Sequence, residues 1–220
     1  MTAQVSAALT WPGLGATAVT VGLLVLLAGR VVGPVVSVAH EGGHMAIGFL
    51  TGGKVEYFRL KPDSVNAETK FDRLPGWLGD ILTTFTGYVT PPLLGLGGAV
   101  LLKEGYAWPL LWIAVILFFV VWVKAKDEFT GVALLLMAGF LVYVGLYGSP
   151  TMQAAFAAGL VLLLLLGGLR SAAYSEIAKG KDSDAEFLAR ATLIPRVLWK
   201  AAYVIVALLC LWKGVIVLLR

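Results

Sequence analysis

Long runs without a charged residue constrain this chain more than any other feature. The stretches Tyr106–Val123 and Met152–Leu169 contain no Lys, Arg, Asp or Glu. A run of about 18–20 apolar residues is long enough to cross the hydrocarbon core of a bilayer as a helix. Hydrophobic residues make up 59% of the 220 positions and charged residues 14%, whereas a soluble domain is about half apolar and about a quarter charged. The sequence therefore predicts an integral membrane protein.

The apolar runs indicate about six membrane spans. The first covers Thr17–Leu50, which is too long for one ordinary span, so we expect either one long helix kinked at Gly33-Pro34 or two helices with a break near Arg30–Pro34. The later runs are Trp77–Leu102 (interrupted by Pro91-Pro92), Trp108–Val123, Phe129–Tyr147, Met152–Leu169 and Ala201–Leu219. The predicted fold is an all-α, multi-pass transmembrane helical bundle, with seven spans if the first region is split. We expect a single domain over residues 1–220.

Two polar segments, residues 52–76 and 170–196, separate the apolar runs. Within the first, Lys54–Leu60 has a weak strand pattern and Lys61-Pro62-Asp63 has the composition of a turn, so a short surface hairpin is expected. Both segments are rich in Lys and Arg, as is the short loop Lys124–Glu128, whereas the alternate loops are nearly free of them. The positive-inside rule predicts that the three basic loops lie in the cytoplasm, in a protein of the cell membrane.

Charge and cysteine content exclude other classes of protein. The net charge of +4 is explained by membrane topology, so no nucleic-acid partner is expected. Cys210 is the only cysteine, so an internal disulfide and a cysteine-rich metal site are both excluded. The first ten residues contain no Lys or Arg, and we therefore expect no cleavable signal peptide.

The only two histidines of the chain lie in the motif His40-Glu41-Gly42-Gly43-His44. Histidines four residues apart on a helix share one face, so both imidazoles can reach one zinc ion. Zinc lowers the pKa of a bound water to about 7, and an adjacent carboxylate such as that of Glu41 can take its proton. The motif predicts a zinc hydrolase site. The alternative is a pair of hydrogen-bonded core histidines with a charge near the end of the helix.

Two glycines lie between the predicted ligands. Each glycine costs a helix about 1 kcal/mol relative to alanine, so Gly42 and Gly43 need a reason to be there. Together they leave a bare surface for the close approach of a neighbouring helix or an extended substrate strand. Ordinary small-residue packing between membrane helices is the other explanation.

The stretch from Ser37 to Ala46, followed by Gly52-Gly53-Lys54-Val55, resembles the first core helix of the site-2 protease family and the turn after it. The resemblance is closest to a compact branch of small bacterial members. It implies that His40 and His44 bind zinc and that Glu41 is the catalytic base. It also implies membrane-bound protein substrates. Gly87 and Tyr88 loosely resemble a glycine-rich segment that lines the family's active site, although a kinked packing helix also explains them.

A catalytic zinc usually has three protein ligands and a water. With no third histidine and with Cys210 in an apolar run, the remaining choice is an Asp or a Glu. The larger family uses an aspartate in a Leu-Asp-Gly type motif, which is absent here. Ser183-Asp184-Ala185 resembles the late segment of the compact branch, and by that resemblance Asp184 is the third ligand.

Asp184 has a second interpretation. Ser183 is placed to cap a helix that starts at Asp184 with Glu186 in its first turn, and Asp184 then stabilises the helix dipole. Weaker alternatives for the third ligand are Asp182, Asp127 and Asp80.

The resemblance implies an intramembrane zinc metalloprotease that hydrolyses a peptide bond of a membrane-bound protein near the cytoplasmic face. Two other hypotheses remain open from the residues: a membrane transporter or metal-ion carrier, and a proteolytically inactive scaffold of the same fold. The sequence leaves the substrate and the oligomeric state open.

Overall fold

A computed structural model of the chain describes residues 11–61, 67–73, 76–179 and 183–219. Within these ranges the chain forms eight α-helices and one two-stranded sheet. In chain order the elements are α1 (Trp11–Leu27), α2 (Gly29–Leu50), β1 (Lys54–Leu60), β2 (Ala67–Arg73), α3 (Trp77–Lys103), α4 (Ala107–Trp122), α5 (Glu128–Tyr147), α6 (Pro150–Lys179), α7 (Asp184–Thr192) and α8 (Arg196–Leu219).

The helices form the membrane bundle that the apolar runs predict. Four of them, α3, α5, α6 and α8, are long and apolar enough to cross a bilayer, and α1 and α2 together qualify as one bent span. The helix α4 is also apolar but has only 16 residues. Six apolar regions therefore correspond to the six predicted spans. Five of them have both the length and the composition needed to cross a membrane, and α4 is too short. The prediction of an all-α multi-pass membrane fold is confirmed.

The first apolar region consists of two helices. The break lies at Ala28, and α1 and α2 are bent by 87° relative to each other. The alternative of one long helix kinked at Gly33-Pro34 is therefore wrong, and Pro34 lies inside α2. The two-helix alternative is closer, although the break precedes the expected Arg30–Pro34. Gly29, directly after the break, disfavours helix at this point, because glycine has a high backbone entropy cost.

The helix α3 is the centre of the bundle and packs against α2, α6, α7 and α8. It runs unbroken through Pro91 and Pro92, so the two prolines that interrupt the apolar run do not divide the predicted span. Both prolines are buried, and Pro92 lies against Gly168 of α6. Membrane helices tolerate proline where neighbouring helices cover the freed backbone groups.

The two polar segments contain regular secondary structure. In residues 52–76, β1 and β2 form the expected antiparallel hairpin, while most of the predicted turn Lys61-Pro62-Asp63 lies outside the described residues. In residues 170–196, the helix α6 continues to Lys179 and α7 occupies most of the remainder. This segment is therefore mainly helical, which corrects its description as a polar loop.

The hairpin is fixed to the short loop between α4 and α5. Phe58 of β1 is fully buried, its N–H donates to the Lys124 carbonyl at 2.7 Å, and its carbonyl accepts from the Lys126 N–H at 2.9 Å. Arg59 forms an ion pair with Asp127 at 2.9 Å. Two of the three basic segments therefore lie on the same side of the bundle.

Candidate active site

The helix α2 presents the motif residues to the interior of the bundle. His40, Glu41 and His44 are only 5%, 5% and 8% exposed. The two imidazoles are arranged edge to face with their ring centroids 4.7 Å apart, and their Nε2 atoms are separated by 3.1 Å. One helical turn between the histidines places both rings on one face, as the spacing predicts.

Asp184 reaches the histidines from α7. Its Oδ2 atom lies 3.1 Å from His40 Nε2 and 3.6 Å from His44 Nε2. Ser183 caps α7 by accepting a hydrogen bond from the Glu186 N–H at 3.2 Å, as the sequence predicts. The capping geometry makes Asp184 the first helical residue and turns its carboxylate toward α2.

The short helix α7 is held in place along its length. Ala185 and Leu188 are fully buried against α3 and α8. At its other end, the indole N–H of Trp77 donates to the Ala191 carbonyl at 3.0 Å, and that of Trp199 donates to the Thr192 hydroxyl at 3.2 Å. These contacts fix the position of the Asp184 carboxylate relative to the two imidazoles.

The donor atoms of His40, His44 and Asp184 have the geometry of a metal site. All three atoms lie within 4.8 Å of one another, with separations of 3.1, 3.1 and 3.6 Å. Tetrahedral zinc with ligand bonds of about 2.0–2.1 Å requires edges of about 3.3 Å. Asp184 Oδ2 is buried and aligns with neither imidazole as a hydrogen-bond acceptor. Two imidazoles and a carboxylate are a donor set that suits zinc.

The other ring nitrogen of His44 fixes its tautomer. Nδ1 lies 2.7 Å from the Thr83 carbonyl of α3, which can only accept, so Nδ1 carries a proton and Nε2 is the nitrogen available to a metal. For Asp184, burial raises the pKa of the carboxyl, but the adjacent His44 and His40 lower it more, and its pKa lies well below the usual value. The ionised form of the carboxyl is the one that binds a metal.

Gly87 and Tyr88 of α3 form a wall behind the imidazoles. A β-carbon at Gly87 would overlap the His44 ring and lie 2.8 Å from His40 Cε1. The ring of Tyr88 packs edge to face on His40 with centroids 4.4 Å apart. On α2, a β-carbon at Gly43 would meet Thr90 of α3, whereas one at Gly42 would meet nothing within 4 Å. Gly43 and Gly87 therefore allow the close contact of the two helices.

A cleft opens beside the donor atoms. Its volume is about 190 Å³. It lies between β2, the start of α3 and α7, and it is lined by His44, Thr69, Phe71, Asp80, Thr83, Thr84, Asp184 and Phe187. Two of the three donor residues, His44 and Asp184, therefore face this cleft.

Comparison with known proteins identifies the family. The family model described as Peptidase M50B-like matches residues 14–214. The chain belongs to this family. No curated protein matches the M50B-like chain, and no solved structure does. The resemblance to site-2 proteases first noted around His40 thus extends over nearly the whole sequence. This M50B-like protein is a membrane metalloprotease of the site-2 protease type.

The other aspartates considered as third ligands do not join the donor group of the M50B-like protein. Asp80 lines the cleft but lies outside the group of three. Asp127 caps α5, and the Thr130 N–H is the main cause that holds the pKa of its carboxyl below the usual value. Asp182 lies outside the described residues. Cys210 is buried on α8 and belongs to no metal-binding group of the described residues.

The sequence did not assign Thr83 to the site, and it offered Asp80 only as a weaker alternative for the third ligand, not as a residue that lines the cleft. Thr83 acts through its backbone carbonyl, for which the side chain gives no signal. Asp80 was visible as the only charge in the apolar run before Lys103, and such a charge inside a span is a signal of function. In the sequence only a loose resemblance points to Gly87, because its contact with both imidazoles depends on how α2 and α3 cross.

Proposed function

We propose that this chain is an intramembrane zinc endopeptidase that hydrolyses a peptide bond of a membrane-bound protein. The observation that carries the proposal is the convergence of three donor atoms from His40, His44 and Asp184 beside a buried glutamate. We assign these three residues as the zinc ligands and Glu41 as the general base.

The proposed chemistry divides among the residues as follows. When bound, zinc supplies an acidified water and a Lewis acid for the peptide carbonyl. Glu41 takes the proton of the attacking water and returns it to the leaving nitrogen. Asp184 and the two imidazoles hold the ion, and the Thr83 carbonyl keeps His44 in the tautomer that binds it. Burial of the motif in the bundle excludes bulk water, which strengthens the electrostatic interactions inside.

The proposed site lies at the cytoplasmic face of the cell membrane. The three basic segments are the hairpin, the loop between α4 and α5, and residues 170–196, which include α7. The hairpin and α7 contact the C-terminal half of α2, and the loop pairs with the hairpin. The positive-inside rule assigns such segments to the cytoplasm. Single-span proteins, such as membrane-tethered regulators, are the substrate class that the family resemblance suggests.

Metal content and cleavage test the proposal together. Purified protein should hold about one tightly bound zinc per chain, and Asp184→Ala should lose it. Glu41→Gln should keep the zinc but cleave no peptide. Cleavage is measured on a library of single-span peptides reconstituted with the protein, and the cleavage sites are mapped by mass spectrometry. Asp72→Asn is the matched control, because Asp72 is an exposed carboxylate paired with Lys54.

Two results would contradict the proposal. Protein without stoichiometric zinc excludes the zinc protease assignment, and zinc-loaded protein without Glu41-dependent cuts indicates the inactive scaffold. A metal-ion carrier would instead exchange zinc readily and transport it into sealed vesicles.

A further inference from the structure

The cleft beside the zinc ligands contains polar atoms that the protein leaves without partners. The Thr69 hydroxyl, the Thr83 hydroxyl and Asp80 Oδ1 are buried and make no hydrogen bond with any described residue. All three residues line the cleft, and Thr83 is only 6% exposed. Buried polar groups in native proteins are almost always hydrogen-bonded. Their concentration in one cleft indicates that a polar ligand satisfies them.

The charge of the cleft selects the kind of ligand. Asp184 is engaged by the proposed metal, so Asp80 is the carboxylate of the cleft left for a ligand, and no described basic residue forms an ion pair with it. An ionised carboxylate only accepts hydrogen bonds, and the threonine hydroxyls can also accept. The set therefore favours a group with several donors and a positive charge.

The volume and the lining residues of the cleft further restrict the kind of ligand that fits. Its volume of about 190 Å³ is below the roughly 300–1,000 Å³ of sites for drug-sized ligands, and so it suits a single side chain. Phe71 and Phe187 line the cleft with the polar residues. Lysine and arginine carry an apolar stem that packs on such rings and a charged head that reaches a carboxylate.

From these observations, and resting on the proposed protease function, we infer that the cleft is a specificity subsite for a basic side chain of the substrate, with Asp80 as the residue that binds its charge. Because His44 and Asp184 line the same cleft, the bound side chain lies next to the proposed metal. The protease should therefore prefer Lys or Arg at one fixed position relative to the cleaved bond.

The test compares cleavage patterns in a library of single-span peptides with randomised residues at the membrane boundary. We expect Glu41-dependent cuts by the wild type to be enriched about tenfold in Lys or Arg at one position, the size of effect given by hydrogen bonds to a charged group. Asp80→Asn should abolish the enrichment, and Asp80→Lys should replace it by enrichment in Asp or Glu. Asp72→Asn, an exposed carboxylate on β2, should leave the pattern unchanged.

A binding measurement separates the subsite from catalysis. We compare two dipeptide hydroxamates that differ only in having lysine or norleucine at one position. The wild type should bind the lysine compound with a Kd about tenfold lower. Asp80→Asn, still holding one zinc per chain, should bind both compounds with equal Kd. Three results overturn the inference. The wild type binds both compounds with equal Kd, the preference for a basic side chain persists in Asp80→Asn, or that preference is lost in Asp72→Asn. The complete absence of Glu41-dependent cuts is a different result, because it removes the proposed function and this inference with it.

Discussion

Replacing Gly87 by alanine should weaken zinc binding without reducing the helix propensity of α3, on which Gly87 lies. The added β-carbon would overlap the His44 ring and lie 2.8 Å from His40 Cε1. Carbon atoms in good contact are about 3.5–4.0 Å apart, so the imidazoles must move by about 1 Å. Zinc sites hold their bond lengths to within about 0.2 Å. We therefore expect a loss of about 10–100-fold in zinc affinity, the range seen when the surroundings of metal ligands are disturbed.

The change in helix stability should have the opposite sign. Alanine stabilises a helix interior by about 0.5–1 kcal/mol relative to glycine, so Gly87→Ala protein without zinc should keep its helical signal. Gly97→Ala is the matched control, because Gly97 lies on the same helix and a β-carbon there meets nothing within 4 Å. Zinc affinity is measured in detergent by competition with a chromogenic chelator, and helicity by circular dichroism.

Two outcomes would refute this reasoning. One is a zinc affinity of Gly87→Ala within about twofold of the wild type, since the expected loss is at least tenfold. The other is an equal loss in Gly97→Ala, which would show that any methyl group on α3 disturbs the site.

Three further predictions concern the ligands and the hairpin. Asp184→Asn should abolish stoichiometric zinc, while Asp127→Asn should retain it, as metal analysis of the purified variants would show. Thr130→Val should lower the free energy of unfolding by about 1–3 kcal/mol, because the Leu60 N–H loses its acceptor at 3.1 Å, and denaturant unfolding in mixed micelles measures this. Removal of zinc with 1,10-phenanthroline should stop cleavage and added Zn²⁺ should restore it; cleavage that persists without metal would contradict the assigned mechanism.

Much of the fold followed from local rules. Uncharged runs long enough to cross a bilayer predicted the apolar helices, because only a helix satisfies its own backbone there. The cap at Ser183 and the common face of His40 and His44 were also predictable, since both depend on residues at most four positions apart. The hairpin followed from its strand pattern and turn residues.

The remaining features depend on contacts between distant segments. Nothing near Pro34 shows that α2 continues through it while the chain breaks at Ala28. No local pattern places Gly87 against two imidazoles from another helix, or joins the Asp184 carboxylate to them. The Thr83 carbonyl belongs to a backbone group that every residue has, so its bond to His44 could come only from the packing of α2 on α3.

The proposed ligands are far apart in the order of synthesis. His40 and His44 enter the membrane early, and about 140 residues of chain follow before Asp184 completes the set. A nascent protein therefore carries only two of three ligands while most of its helices are being inserted. On the proposed ligand set, the metal site is completed only once α7 has docked on α3, so a chain stalled during insertion would lack the third ligand.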